Sequence, residues 1–61
     1  MFAVRSNGWY YSEIPAWEQT VEYAKKYNDK SEALKFAETI GSRAVVVAIR
    51  ETSGIWEEVV H

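Results

Sequence analysis

Residues 43–50 read RAVVVAIR, and this octet limits the fold more than any other part of the chain. As an extended strand it places Val45, Val47 and Ile49 on one face and Ala44, Val46 and Ala48 on the other. Both faces are apolar, and a chain of 61 residues has little material with which to cover them. A domain of this size hides only about 60% of the surface its unfolded chain exposes, so every uncovered apolar row matters. One helix covers one face of a sheet, here expected to be that of Val45, Val47 and Ile49. The second row has three candidate covers. Trp9, Tyr11 or Trp56, or the segment 13–27, crosses it from within; a second copy pairs with it as a homodimer; or a different partner protein sits on it.

The usual supports of very small domains narrow this further. There is no cysteine, which removes disulfides and thiolate metal sites, and the single histidine is His61, the last residue. No metal or other cofactor is expected. No stretch near 20 residues is apolar throughout, so no membrane span is expected. The start, MFAVRSNGW, lacks the basic and then apolar run of a secretion signal. These features predict a cytoplasmic protein whose reading frame begins at Met1 and folds as one domain over 1–61.

The rest of the chain divides at clear turn and cap signals. In MFAVRS, Phe2 and Val4 alternate with Ala3 and Arg5, a half-buried strand. Asn7-Gly8 then predicts a type I′ hairpin turn, which needs positive φ at both central residues. WYYS returns, with Trp9 and Tyr11 on one face and Tyr10 on the other. Segment 13–27 carries Pro15, which rules out a central strand. Its Trp17, Val21 and Ala24 fit a helical stripe, while Thr20 could equally cap a single turn VEYA with KKY extended after it. A short or irregular helix is the expectation. Asp29 with Glu32 three residues on has the spacing of a capping box. Ala33, Phe36, Ala37 and Ile40 form an apolar stripe that ends at Gly41. RAVVVAIRE, the turn TSG and IWEEVV make a second hairpin. The predicted fold is α+β: a sheet of about four strands, ordered hairpin, helix, hairpin, with one main helix on one face.

Catalytic chemistry finds little to work with. The serines Ser6, Ser12, Ser31, Ser42 and Ser53 stand beside turns or caps and the sole histidine is terminal, so no nucleophile has an evident base. Glu57 and Glu58 are strand neighbours and point to opposite faces, as a solvated edge would. Gly8, Gly41 and Gly54 are isolated turn or cap residues and build no phosphate-cradling loop. The chain is expected not to be an enzyme.

Aromatics are what remain in excess: three tryptophans, four tyrosines and two phenylalanines. Phe2, Phe36 and Trp17 suit a core. A strand cannot bury Trp9, Tyr10 and Tyr11 together, so part of this triplet is exposed, and exposed Trp and Tyr anchor protein interfaces. The expected function is therefore a non-catalytic protein–protein interaction module. Its expected contact residues are Trp9, Tyr10, Tyr11 and, from the second hairpin, Trp56. The alternative is a single-stranded nucleic-acid binder that stacks bases on the same rings. Arg5, Lys25, Lys26 and Arg50 would then face the phosphates. A net charge of −2 makes this the weaker alternative.

NGWYY (7–11) and AKKYNDKSEALKFAETIG (24–41) together form a pattern. It resembles that of small, mostly uncharacterised proteins encoded by phages and prophages. There a Gly-aromatic-aromatic hairpin precedes an A-K-K-aromatic step, a helix with S-E-A-x-x-F-A and a valine-rich strand. The resemblance implies a small α+β domain of viral origin that binds and modulates a protein in the bacterial host cytoplasm. It carries over no catalytic residue, and the second hairpin lies outside it.

Overall fold

A computed structural model describes residues 1–13, 17–41 and 43–59. Strands β1 (Phe2–Ser6) and β2 (Trp9–Tyr11) form the first hairpin, followed by a short β3 (Trp17–Glu18). A single 3₁₀ turn (Val21–Tyr23) leads to helix α1 (Lys30–Ile40), and β4 (Ala44–Thr52) and β5 (Ile55–Glu58) close the chain. The sheet is antiparallel in the order β3-β2-β1-β4-β5. It has five strands, one more than the sequence predicts. The added strand, β3, comes from the segment expected to be helical or irregular. Its two residues pair as Tyr10 with Glu18 and Tyr11 with Trp17, so the partner strand, and no local periodicity, makes them extended.

Both hairpin turns share one conformation, which Asn7-Gly8 favours and Ser53-Gly54 adopts with a serine at positive φ. Asn7 and Gly8 have φ of 53° and 81°, and Ser53 and Gly54 repeat those values. Positive φ at both central positions is the type I′ turn, whose twist suits two-residue hairpins. Helix α1 is capped by Asp29, whose carboxylate accepts from the Ser31 amide and hydroxyl, each at 2.9 Å. The cap bond thus goes to Ser31, at the second helical position, and not through the expected Asp29–Glu32 reciprocal pair. Gly41 (φ 132°) ends the helix, its N–H donating to the Ala37 carbonyl. In the earlier segment the single-turn alternative is the one formed: Thr20 precedes the turn in an extended conformation, without a side-chain cap bond.

The helix lies on the face opposite to the one expected. Ala33 and Ala37 of α1 pack with Val4 and Tyr27, flanked by Phe2, Tyr11, Phe36, Ala44 and Val46. Small residues on both sides explain this: Ala44 and Val46 on the strand and Ala33 and Ala37 on the helix let backbones approach closely. The rings of Phe2, Tyr11 and Phe36 close the flanks. Val45, Val47 and Ile49 therefore belong to the other face.

That other face is covered from within, by the segment around the 3₁₀ turn. Val21 and Ala24 are buried against Ala3 and Ile49, with Tyr10, Val47 and Trp56 packed around them. The chain then passes round the sheet at the start of β1. There Phe2 and Tyr27 exchange two backbone hydrogen bonds of 2.8 Å, at a place the three-residue β2 does not reach. From Tyr27 it enters the helix on the first face. Cover of the second face is partial: Ile49 is 2% exposed and Val45, at the other end of the row, 50%. Burying Ile49 and Val4, the two largest fully buried side chains, contributes about 1.5–3 kcal/mol each.

Candidate partner-binding surface

The first hairpin sorts its three aromatics by strand alternation. Tyr11 turns toward the helix, its ring 4.2 Å from that of Phe36 and 5.8 Å, edge to face, from Trp17. Tyr10 turns to the other face, opposite Arg5. Trp9, beside the turn and opposite Ser6, projects past the end of the helix-side core and is 42% exposed. Two open, shallow clefts flank it. One, of about 500 Å³, is lined by Ser6, Asn7, Trp9 and Trp17. The other, of about 420 Å³, is lined by Trp9, Glu18, Gln19, Thr20 and Tyr23. Tyr23, on the 3₁₀ turn, is 61% exposed. The sequence reading missed it, because it falls off the Trp17–Val21–Ala24 stripe. That it must point away from the buried Val21 and Ala24 was the available signal.

The remaining expected contact residues are held by the fold. Tyr10 is half-buried and its hydroxyl donates to Glu58 Oε2 at 2.9 Å. Arg5 Nη1 donates to both oxygens of the same carboxylate at 3.3 Å. The sequence places Glu58 on a solvated edge. Instead it joins β2, β1 and β5 across the partly covered face, while Glu57 on the opposite face accepts from Arg50 Nε at 2.9 Å. Burial, then the hydrogen bond to Glu58 and its charge, hold the Tyr10 phenol above its ordinary pKa. Trp56 packs against the Ala3–Val21–Ala24–Ile49 cluster, with the Lys26 ammonium 4.9 Å from its ring centroid.

Each cation of the nucleic-acid alternative has a partner within the chain. Arg5 meets Glu58, Arg50 meets Glu57 and Lys25 meets Glu13. Lys26 donates to the carbonyls of Glu22 and Ala24 at 2.7 and 3.0 Å. The hydrogen bond to Glu13 holds Lys25 above its ordinary pKa. Nor do the four share a face. Arg5 lies with Tyr10 and Val45, whereas Lys25 stands over the ring of Tyr27, in the helix-side core. Among the described residues no group of three or more His, Cys, Asp and Glu could hold a metal ion. No helix among them is long and apolar enough to cross a membrane.

Comparison with protein-family models, with curated proteins and with solved structures finds no match for the chain.

Proposed function

We propose that the chain is a non-catalytic interaction module that docks on another protein through Trp9. The observation that carries this reading is the exposed indole of Trp9 between two open clefts, with Trp17 on one side and Tyr23 on the other. A large ring already fixed on a short strand loses little conformational freedom on binding and contributes the area typical of an interface anchor. The phage-type proteins that the sequence resembles fit the same role, a host protein in the bacterial cytoplasm being the partner. Stacking of single-stranded nucleic acid on Trp9 is less supported. Its four cations would have to leave their carboxylates and carbonyls before meeting phosphate.

Affinity capture from a nuclease-treated bacterial lysate tests the proposal, with wild type, Trp9→Ser and Leu34→Ser as baits. Leu34 is about as exposed as Trp9 but lies on the helix. The expected result is one protein held by wild type and Leu34→Ser and released by Trp9→Ser. Capture indifferent to Trp9 overturns the proposal, and capture lost entirely on nuclease treatment favours nucleic acid instead.

A further inference from the structure

The chemistry of the clefts beside Trp9 points to a particular kind of partner segment. We propose that this surface takes an extended, proline-rich stretch of a protein that carries a basic residue next to its prolines. The assignment rests on the docking role proposed for Trp9.

Shape comes first. Both clefts are open and shallow, so they suit a chain lying across the rings and do not enclose a small cation or metabolite. The adjoining edge strand β3 is two residues long, too short to template an added strand by main-chain pairing. A polyproline II segment needs no such ladder. It has three residues per turn and no internal hydrogen bonds, so its rings can stack between aromatic side chains while its carbonyls stay free to accept. The cleft offers both halves of that contact. Trp9 and Tyr23, both exposed, line it with Gln19, and the Trp9 indole N–H and the Gln19 amide are its side-chain N–H donors. Among the described residues neither donor has a side-chain hydrogen-bond partner.

Charge supplies the second requirement. The ion pairs among the described residues engage Glu13, Glu57 and Glu58. Glu18, which lines the cleft, and Glu22, which precedes Tyr23 on the exposed turn, have no such counterion. Lys25, the nearest cation in sequence, pairs with Glu13, and Lys26 is directed to the carbonyls of Glu22 and Ala24 and to the Trp56 ring. The aromatic cleft thus carries one carboxylate outside these ion pairs, that of Glu18, with the acidic Glu22 next to Tyr23 at its margin. These acids favour an arginine or lysine beside the prolines and disfavour acidic or phosphorylated segments and nucleic acid.

Proton–nitrogen NMR titration of the full chain tests the assignment, because Trp9, Trp17 and Trp56 each give an indole signal. The probe is the synthetic peptide Arg-Pro-Pro-Pro-Pro-Pro-Arg. Its controls are the same peptide with glutamate at both ends and one with alanine for proline. The Trp9 indole, the Gln19 side-chain amide and the Tyr23 backbone are expected to shift saturably with the first peptide, while the Trp56 indole stays put. Trp9→Ala, with its fold checked by circular dichroism, should weaken binding about thirtyfold or more. Glu18→Gln should weaken it about two- to fivefold, more at low salt than at high. No shift at Trp9, or equal binding of the three peptides, overturns the assignment. If the peptide fails while partner capture still depends on Trp9, the ligand class falls and the docking role stands. Capture indifferent to Trp9 overturns both.

Discussion

Internal cover of the second sheet face makes an unequal prediction for two residues of one row. Ile49 and Val45 lie on the same strand and the same face, yet one is 2% and the other 50% exposed. Ile49→Ala removes three carbons from contact with Ala3, Val21 and Ala24. At about 0.8 kcal/mol per buried methylene this loses roughly 2.4 kcal/mol, and the cavity left behind places the total within about 2–5 kcal/mol. Val45→Ala removes two carbons that are half in water, a loss of about 0.8 kcal/mol. The weaker strand preference of alanine adds up to about 1 kcal/mol in either case and cancels in the comparison. The expected difference is therefore about 1–4 kcal/mol, at about 4–8 °C in Tm per kcal/mol for a domain of this size. Urea unfolding followed by tryptophan fluorescence and circular dichroism reads both variants. Val21→Ala, made alone and with Ile49→Ala, should couple to it by about 0.5 kcal/mol or more, because the two side chains share one cluster. Equal losses at Ile49 and Val45 would refute the internal cover. So would a Val45→Ala effect that grows with protein concentration, since a second copy would then be covering the row.

Three further outcomes follow from local geometry. Tyr10 and Tyr27 are both held above their ordinary pKa, chiefly by burial. Each therefore contributes stability that is complete below pH about 10 and lost as the pH rises through the folded-state value. Urea melts at increasing alkalinity should show this decline, and Tyr10→Phe should remove only the Tyr10 share. Asp29 is held below the usual carboxylate range by the backbone and then the hydroxyl of Ser31. Its contribution is present above the unfolded carboxylate pKa and lost as the pH falls through the lowered value, so Asp29→Ala should lower the melting temperature at neutral pH and converge with wild type in strong acid. Gly8→Ala and Gly54→Ala add a methyl group that meets nothing within 4 Å at φ of 81° in both turns. Each should cost about 1–2 kcal/mol from backbone conformation alone, and a much larger loss at either would reveal a contact that the turn does not show.

The parts of this fold that were legible in advance are those set by nearest neighbours. Asn7-Gly8 specified its turn because few residue pairs tolerate two positive φ values. Asp29 and Gly41 bounded the helix because each satisfies orphan backbone groups at its own end. The exposed residues of the candidate surface were legible only in part. Alternation showed that Trp9, Tyr10 and Tyr11 could not all be inside, but Tyr23 entered the surface through a 3₁₀ turn that only packing against Ala3 and Ile49 establishes. The ion pair of Arg5 with Glu58 joins residues 53 apart in sequence, and no local pattern announces a partner at that separation.

By itself, then, the sequence of this protein determined its turns, its helix limits and the two sets of side chains on β4, because these depend on backbone sterics and period alone. Tertiary structure decided which set lies beneath the helix, since that depends on how closely Ala33 and Ala37 can approach Ala44 and Val46. It also decided that Trp17 and Glu18 form a strand, which exists only because Tyr10 and Tyr11 offer an edge. Of the aromatics in NGWYY, it left Trp9 the one facing solvent, because the hydroxyl of Tyr10 reaches Glu58 and the ring of Tyr11 meets Phe36.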